Sequence, residues 1–211
     1  MRKGLFSVLS SGAIVLALGI STSAATATTA ATWTIKPGGT VTGTSGTITV
    51  TDTTTGAQMK CTSSSLGATL KSGSGKINPI GQITAVAYNS CTTAGVGAGV
   101  TATASSTNPW HLRGSTYSSG VTHGSIGNAG TSFSITGPLG TCSGIVAGTS
   151  ATTPGKIGVT YKNANGSLIM HGGNLHAWNV TGQCLGSLHT GDPMTVVGTY
   201  IISPRQTITS P

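Results

Sequence analysis

The sequence predicts an all-β protein: a Greek-key sandwich or barrel-like fold of about a dozen short antiparallel strands, behind a cleaved N-terminal signal helix. Three observations predict it. Apolar and polar residues alternate with period two in many short runs, such as Thr47-Ile48-Thr49-Val50-Thr51. Clusters of Gly, Pro, Asn, Ser and Thr interrupt those runs at short intervals. No 3.6-residue apolar period lasts three turns after the N-terminal segment.

The elements follow in order. Residues 1–27 read as an export signal: Arg2 and Lys3 start it, Leu5 to Ile20 is largely apolar and uncharged, and Ala25-Thr26-Ala27 fits a small-x-small cleavage site. The apolar run is short for a membrane span, and no basic cluster follows it. Residues 28–211 are therefore expected to fold as one exported domain with no membrane attachment. Trp33-Thr34-Ile35 opens the alternation and Lys36-Pro37-Gly38-Gly39 turns it. Thr47–Thr51, the turn Thr53-Thr54-Thr55-Gly56 and Ala57–Cys61 make a hairpin. Leu66–Leu70, Ile83–Tyr88 and Val100–Ala104 are further strands, with Gly95–Gly99 as a flexible loop between the last two. Pro109–Arg113 puts Trp110 and Leu112 on one face. Strands at Val121–Ile126, Ser132–Thr136, Cys142–Ala147, Lys156–Lys162, Ser167–His171, Leu175–Val180 and Met194–Ile202 complete the set.

The charged residues narrow the chemistry. Asp52 and Asp192 are the only acids in 211 residues. Hard-cation cages and most glycoside hydrolysis rely on several carboxylates, and nothing local in the sequence brings these two together. Over residues 28–211, eight Lys and Arg against two Asp leave a charge of +6. Those cations are scattered in sequence, which argues for a solubilising surface and weak attraction to an anionic cell wall over nucleic-acid binding.

Four cysteines, Cys61, Cys91, Cys142 and Cys184, form an even set in an exported chain, so two disulfides are expected. Three pairings exist; Cys61–Cys91 with Cys142–Cys184 staples each half locally and is the one favoured. Zinc binding is not expected, because no C-x2-C pair occurs. No other metal or cofactor site is expected.

The site candidates are few. Trp33, Trp110 and Trp178 are the candidates for stacking on a sugar ring, although each sits in an alternating run that would also place it in a core. His171 and His176 flank Gly172-Gly173; five apart on alternating strands they face opposite sides unless the Gly pair makes a turn, so they are expected to be polar-tipped strand residues rather than metal ligands. His189 lies three residues before Asp192, but no G-x-S-x-G surrounds any serine, so a hydrolase is a minor reading. The loop Gly137-Pro138-Leu139-Gly140-Thr141 beside Cys142 has the form of a braced inhibitor loop.

Several motifs carry a resemblance. Trp33-Thr34-Ile35-Lys36-Pro37-Gly38-Gly39, Thr51–Gly56 with Cys61-Thr62-Ser63-Ser64, Leu70–Gly75, Pro109-Trp110-His111-Leu112, Gly173-Asn174-Leu175-His176, Gly191-Asp192-Pro193 and Ser203–Pro211 resemble an uncharacterised group of secreted proteins from streptomycetes and related actinomycetes. The resemblance spans nearly all of residues 28–211. It implies an exported β-rich domain and brings no catalytic residue with it. The expected role is a non-enzymatic binding or structural module at the cell envelope or outside the cell. Cell-wall or extracellular polysaccharide, or another envelope protein, is the expected partner. Neither nucleic acid nor a membrane is.

Overall fold

Period-two alternation makes eight long staves that close into a ring. The structure, a computed structural model, describes residues 32–138, 140–182, 184 and 188–211; the expected export signal lies outside them. Among the described residues there is no helix. After β1 (Trp33–Lys36), β2 (Gly39–Ser45) and β3 (Ile48–Asp52) run on as the first stave, followed by β4 (Gln58–Leu70). A short β5 (Gly73–Gly75) precedes the third stave, β6 (Gly81–Thr93). The next four staves each consist of two strands end to end. They are β7 (Val96–Ala102) with β8 (Trp110–Ser118), β9 (Val121–Ala129) with β10 (Thr131–Gly137), β11 (Gly140–Ala147) with β12 (Gly155–Lys162), and β13 (Ser167–Gly173) with β14 (Leu175–Gly182). The eighth is β15 (Pro193–Ser203), and β16 (Thr207–Thr209) follows it.

Each stave pairs antiparallel with the next in sequence, and β15 closes the ring on β2 and β3. The all-β, antiparallel expectation holds, and the pairing follows its barrel-like form. The connections are up-and-down hairpins and contain no Greek-key return. The register is staggered. Gly182, Cys142, Ile135, Ala98, Cys91, Cys61 and Ile48 are successive partners round the ring. Thr49, next to Ile48, pairs with Val197, and Val197 with His171. One circuit thus climbs about a dozen residues of the β13–β14 stave, the stagger that tilts the strands of a closed eight-stave barrel.

Two further stretches form strands. Residues 96–99, expected as a flexible loop, extend the expected strand at Val100 backward to form β7, because Ala98, Val100 and Ala102 face inward while Gly97 and Gly99 are exposed. Gly39, expected in a turn, and residues 40–45, for which no element is expected, form β2, with buried Val41 between exposed Thr40 and Thr42.

Side chains fill the interior. Ile48, Ile83, Ile126, Val159, Met170, Val196 and Tyr200 are all buried there. The voids left are about 30, 60 and 40 Å³, far below the roughly 300 Å³ a small-molecule pocket needs. Outward positions carry mainly Thr, Ser, Gln and Lys, such as Thr40, Thr42, Thr44, Lys60 and Thr199, the reverse of the lipid-facing pattern of a membrane barrel. No helix of the described residues is long and apolar enough to cross a membrane.

The two ends are closed differently. At one, β16, β1 and β5 form a three-stranded cap. Trp33, Ile35 and Ile208 of that cap are buried, and a methyl group at Gly114 would overlap the Trp33 ring. The cap is also hydrogen-bonded to the barrel rim. Tyr161 Oη donates to Gln206 O (2.9 Å) and accepts from Gln206 N (3.0 Å), and Gly38 N donates to Gln206 Oε1 (2.8 Å). Asn163 pairs with both backbone groups of Ile208, as a strand would. Towards the other end, the foot, the two disulfides form with the expected pairing, Cys61–Cys91 and Cys142–Cys184. Cys61 and Cys91 are direct cross-strand partners on β4 and β6. Cys142–Cys184 ties β11 to the connection leading to β15.

Candidate functional site

With the interior filled, chemistry is confined to outer faces and loops, and the tryptophans divide accordingly. Trp33 and Trp110 are 1% and 3% exposed, so both are core residues and neither is a stacking platform. Alternation turned them inward: Trp33 seals the cap, and Trp110 donates its indole N–H to Thr103 Oγ1 inside the wall (3.0 Å). Trp178 is the exception. Its neighbour Ala177 takes the inward position, fully buried, and Trp178 shares the outer face with His176.

The register of four strands builds a face around it. Thr101 on β7 pairs with Ser132 on β10, Ser132 with Ile145 on β11, and Ile145 with Trp178 on β14. A second row runs Gly99, Ser134, Ser143, Thr181. Between the rows β14 spends one extra residue, because Ile145 pairs with Trp178 but Ser143 with Thr181. That is a β-bulge, and Asn179 stands in it with φ of 52° and its side chain exposed. The two rows border an open concavity of about 490 Å³, lined by Gly99, Thr101, Ser132, Ser134, Ile145 and Asn179 among others; the half-buried Trp178 adjoins it in sequence and register but does not line it. No lining residue is charged.

Trp178 is held in one orientation. Its indole N–H donates to Gly148 O (2.9 Å), and the His176 ring lies 6.1 Å away, tilted by 38°. With the N–H engaged, the ring has its π surface to offer. Beside it are hydroxyls that donate and accept and an amide that does both. Ser143 and Thr181 already bond to each other at 3.1 Å. A half-buried aromatic ring next to a wide, shallow, uncharged hollow of hydroxyl and amide groups suits a neutral polyhydroxylated ligand.

The other candidates resolve as follows. His171 and His176 are not brought together. His176 Nδ1 lies 3.2 Å from Asn174 O, whereas His171 joins His123 through Thr160, whose hydroxyl is 3.1 Å from a ring nitrogen of each. Among the described residues, no group of three or more metal-ligating side chains occurs. His189 and Asp192 do meet: Nδ1 is 3.4 Å from Oδ2, and His189 N donates to the same oxygen at 2.7 Å. Among the described residues, no serine hydroxyl bonds to His189. The Gly137–Thr141 segment is a tight hairpin tip, with Gly137 paired to Gly140; Leu139 lies outside the described residues.

The sequence reading missed one association. The two aspartates meet at the foot, because β15 pairs with β3 so that Met194 faces Asp52. Asp52 accepts from Thr54 N (2.7 Å), Thr55 N (3.2 Å) and Thr55 Oγ1 (2.9 Å), and the Asp192 carboxyl lies beside it. Burial pushes the Asp52 carboxyl up, but those hydrogen bonds outweigh it and hold the group below its ordinary 3.8. The pair locks two turns, and its oxygens are occupied by the protein's own donors.

No protein-family model, curated protein or solved structure matches the chain.

Proposed function

We propose that the protein is a secreted, non-enzymatic binding module whose ligand is a neutral glycan at the cell envelope or outside the cell. The supporting observation is the half-buried Trp178 ring at the end of the row Thr101, Ser132, Ile145, next to an uncharged outer hollow, on a barrel whose interior is filled by side chains among the described residues. Export is supported by the two disulfides, which persist in oxidising compartments, and by the N-terminal export pattern. Glycan recognition through one fixed aromatic ring makes Trp178 the anchor of the interface.

The test is a fluorescence and calorimetric titration with soluble neutral oligosaccharides, together with pull-down on insoluble polysaccharides. Trp33 and Trp110 are buried, so a ligand-dependent emission change reports Trp178. Trp178→Ala is expected to weaken binding by about thirtyfold, the loss of about 2 kcal/mol typical of an aromatic anchor. Its thermal midpoint should stay within a few degrees of wild type. No neutral glycan binding, or full binding by Trp178→Ala, rejects the reading.

A further inference from the structure

The cations, scattered in sequence, converge in space. Six of the eight Lys and Arg in the described residues surround the cap. Lys36 ends β1, and Lys71 and Lys76 flank β5, which pairs with β1. Arg113 Nη1 reaches Asn78 Oδ1 (3.4 Å), two residues after Lys76. Lys162 ends β12 beside Asn163, which holds β16, and Arg205 Nη1 donates to Ala164 O (2.8 Å). All six are exposed. Both aspartates lie at the foot, with twelve residues of the β2–β3 stave, about 40 Å of strand, between Gly39 and Asp52. Among the described residues the only ion pair is His189–Asp192, so no cap cation is neutralised by a carboxylate. The barrel is thus electrically polar, with a basic cap and an acidic foot.

We propose that the cap is a docking surface for a polyanionic glycan, a polymer with negative groups repeated along its length. Charge complementarity selects a polyanion: six unpaired cations around one end form a positive field that attracts closely spaced charges. The chemistry of the cap selects among polyanions. Trp33 and Tyr161 are buried and Tyr117 packs against the core, so no fully exposed ring stands there for stacking nucleic-acid bases. The buried Ile35 and Ile208 leave no apolar wedge for a lipid surface, and the exposed Val197 and Ile201 lie on the barrel wall. What remains is a rim of flexible ammonium and guanidinium groups among Ser, Thr and Gly, which suits a hydrated anionic sugar polymer. This surface is separate from the Trp178 hollow, and the two can hold neutral and charged segments of one envelope polymer.

The secreted chain is titrated against polygalacturonate at 50 and 200 mM salt, with duplex DNA and phosphatidylglycerol vesicles as parallel arms. Polygalacturonate is expected to bind, and to lose at least tenfold in affinity over that salt range. Lys36→Gln/Lys71→Gln/Lys76→Gln should weaken it at least tenfold further. Lys60→Gln/Lys156→Gln, which removes charge away from the cap, should stay within twofold of wild type, as should Trp178→Ala. Circular dichroism and thermal melts confirm that each variant folds. Equal losses in the triple and double variants would reduce the effect to net charge and overturn the proposal. Absence of binding, or tighter binding to DNA or vesicles than to polygalacturonate, would also overturn it.

Discussion

The cap and the foot solve the same problem by opposite means. Both are ends of a barrel whose apolar core must be shielded from water. The cap is shielded by residues from the two extremes of the described chain, since β1 pairs with β16, and it is held by burial and hydrogen bonds alone. The foot is held covalently and locally, with disulfides spanning 30 and 42 residues and an aspartate that ties its own turn. A long-range closure costs the larger loop-closure entropy. A local one restrains the chain beforehand. The difference also sorts the charge, because the cap needs no carboxylate to hold its turns and the foot uses both.

The sharpest way to break the comparison is Trp33→Ala. Trp33 is 1% exposed beneath the cap, packed on Gly114, so its loss opens a cavity at the only plug of that end. The expected cost is about 3–5 kcal/mol in chemical denaturation, with the cap's amides losing hydrogen-exchange protection before those of the staves. A cost below 1 kcal/mol would mean that the barrel does not depend on its cap. Next in size, Cys142→Ala/Cys184→Ala should cost about 3–4 kcal/mol by the chain-entropy account of a loop of this length. The exchange loss should then appear in the connection before β15 and leave the cap untouched. If the cap loosened as well, the two closures would be coupled and the comparison would fail.

How far the sequence revealed this division depends on the kind of signal. Period-two runs such as Thr47–Thr51 and Pro109–Arg113 fall on strands, because one buried face forces alternation. The disulfide pairing was legible for a related reason: each pair lies near in sequence as well as in space. The first half of β7 was not legible, since its outward positions are Gly97 and Gly99, and glycine erases the polar half of the alternation. The sandwich-or-barrel ambiguity persisted because ring closure depends on the register of β15 against β2 and β3, which no local pattern encodes. Closure also hid the sites. Trp33, Trp110 and Trp178 sit in equivalent alternating runs, and only the face each strand presents separates two core residues from one surface ring. The Asp52–Asp192 contact and the six-cation cap are products of strand register, so their members look scattered along the chain.

The smallest predicted effect sharpens the comparison by pH. Asp52 is the acid that ties the foot, and its carboxyl is held below 3.8 chiefly by donors from its own turn and by Asp192. A group with a depressed folded-state value contributes stability that is present above the unfolded value, near pH 3.8, and lost as pH falls through the folded one. The groups facing it are the Asp192 carboxyl and, through that, His189; no Lys or Arg stands near enough to pair. Asp52→Asn should therefore cost about 1–3 kcal/mol at pH 7, because an amide nitrogen now faces donors that need an acceptor. That cost should shrink as the pH of the denaturation series drops below 3.8, when wild type loses the same interaction by protonation. No Asp or Glu lies in the cap, so Trp33→Ala should cost nearly the same at pH 7 and in acid. A deficit in Asp52→Asn that stays constant between pH 7 and pH 2.5 would mean that the carboxylate's charge does nothing to hold the foot together.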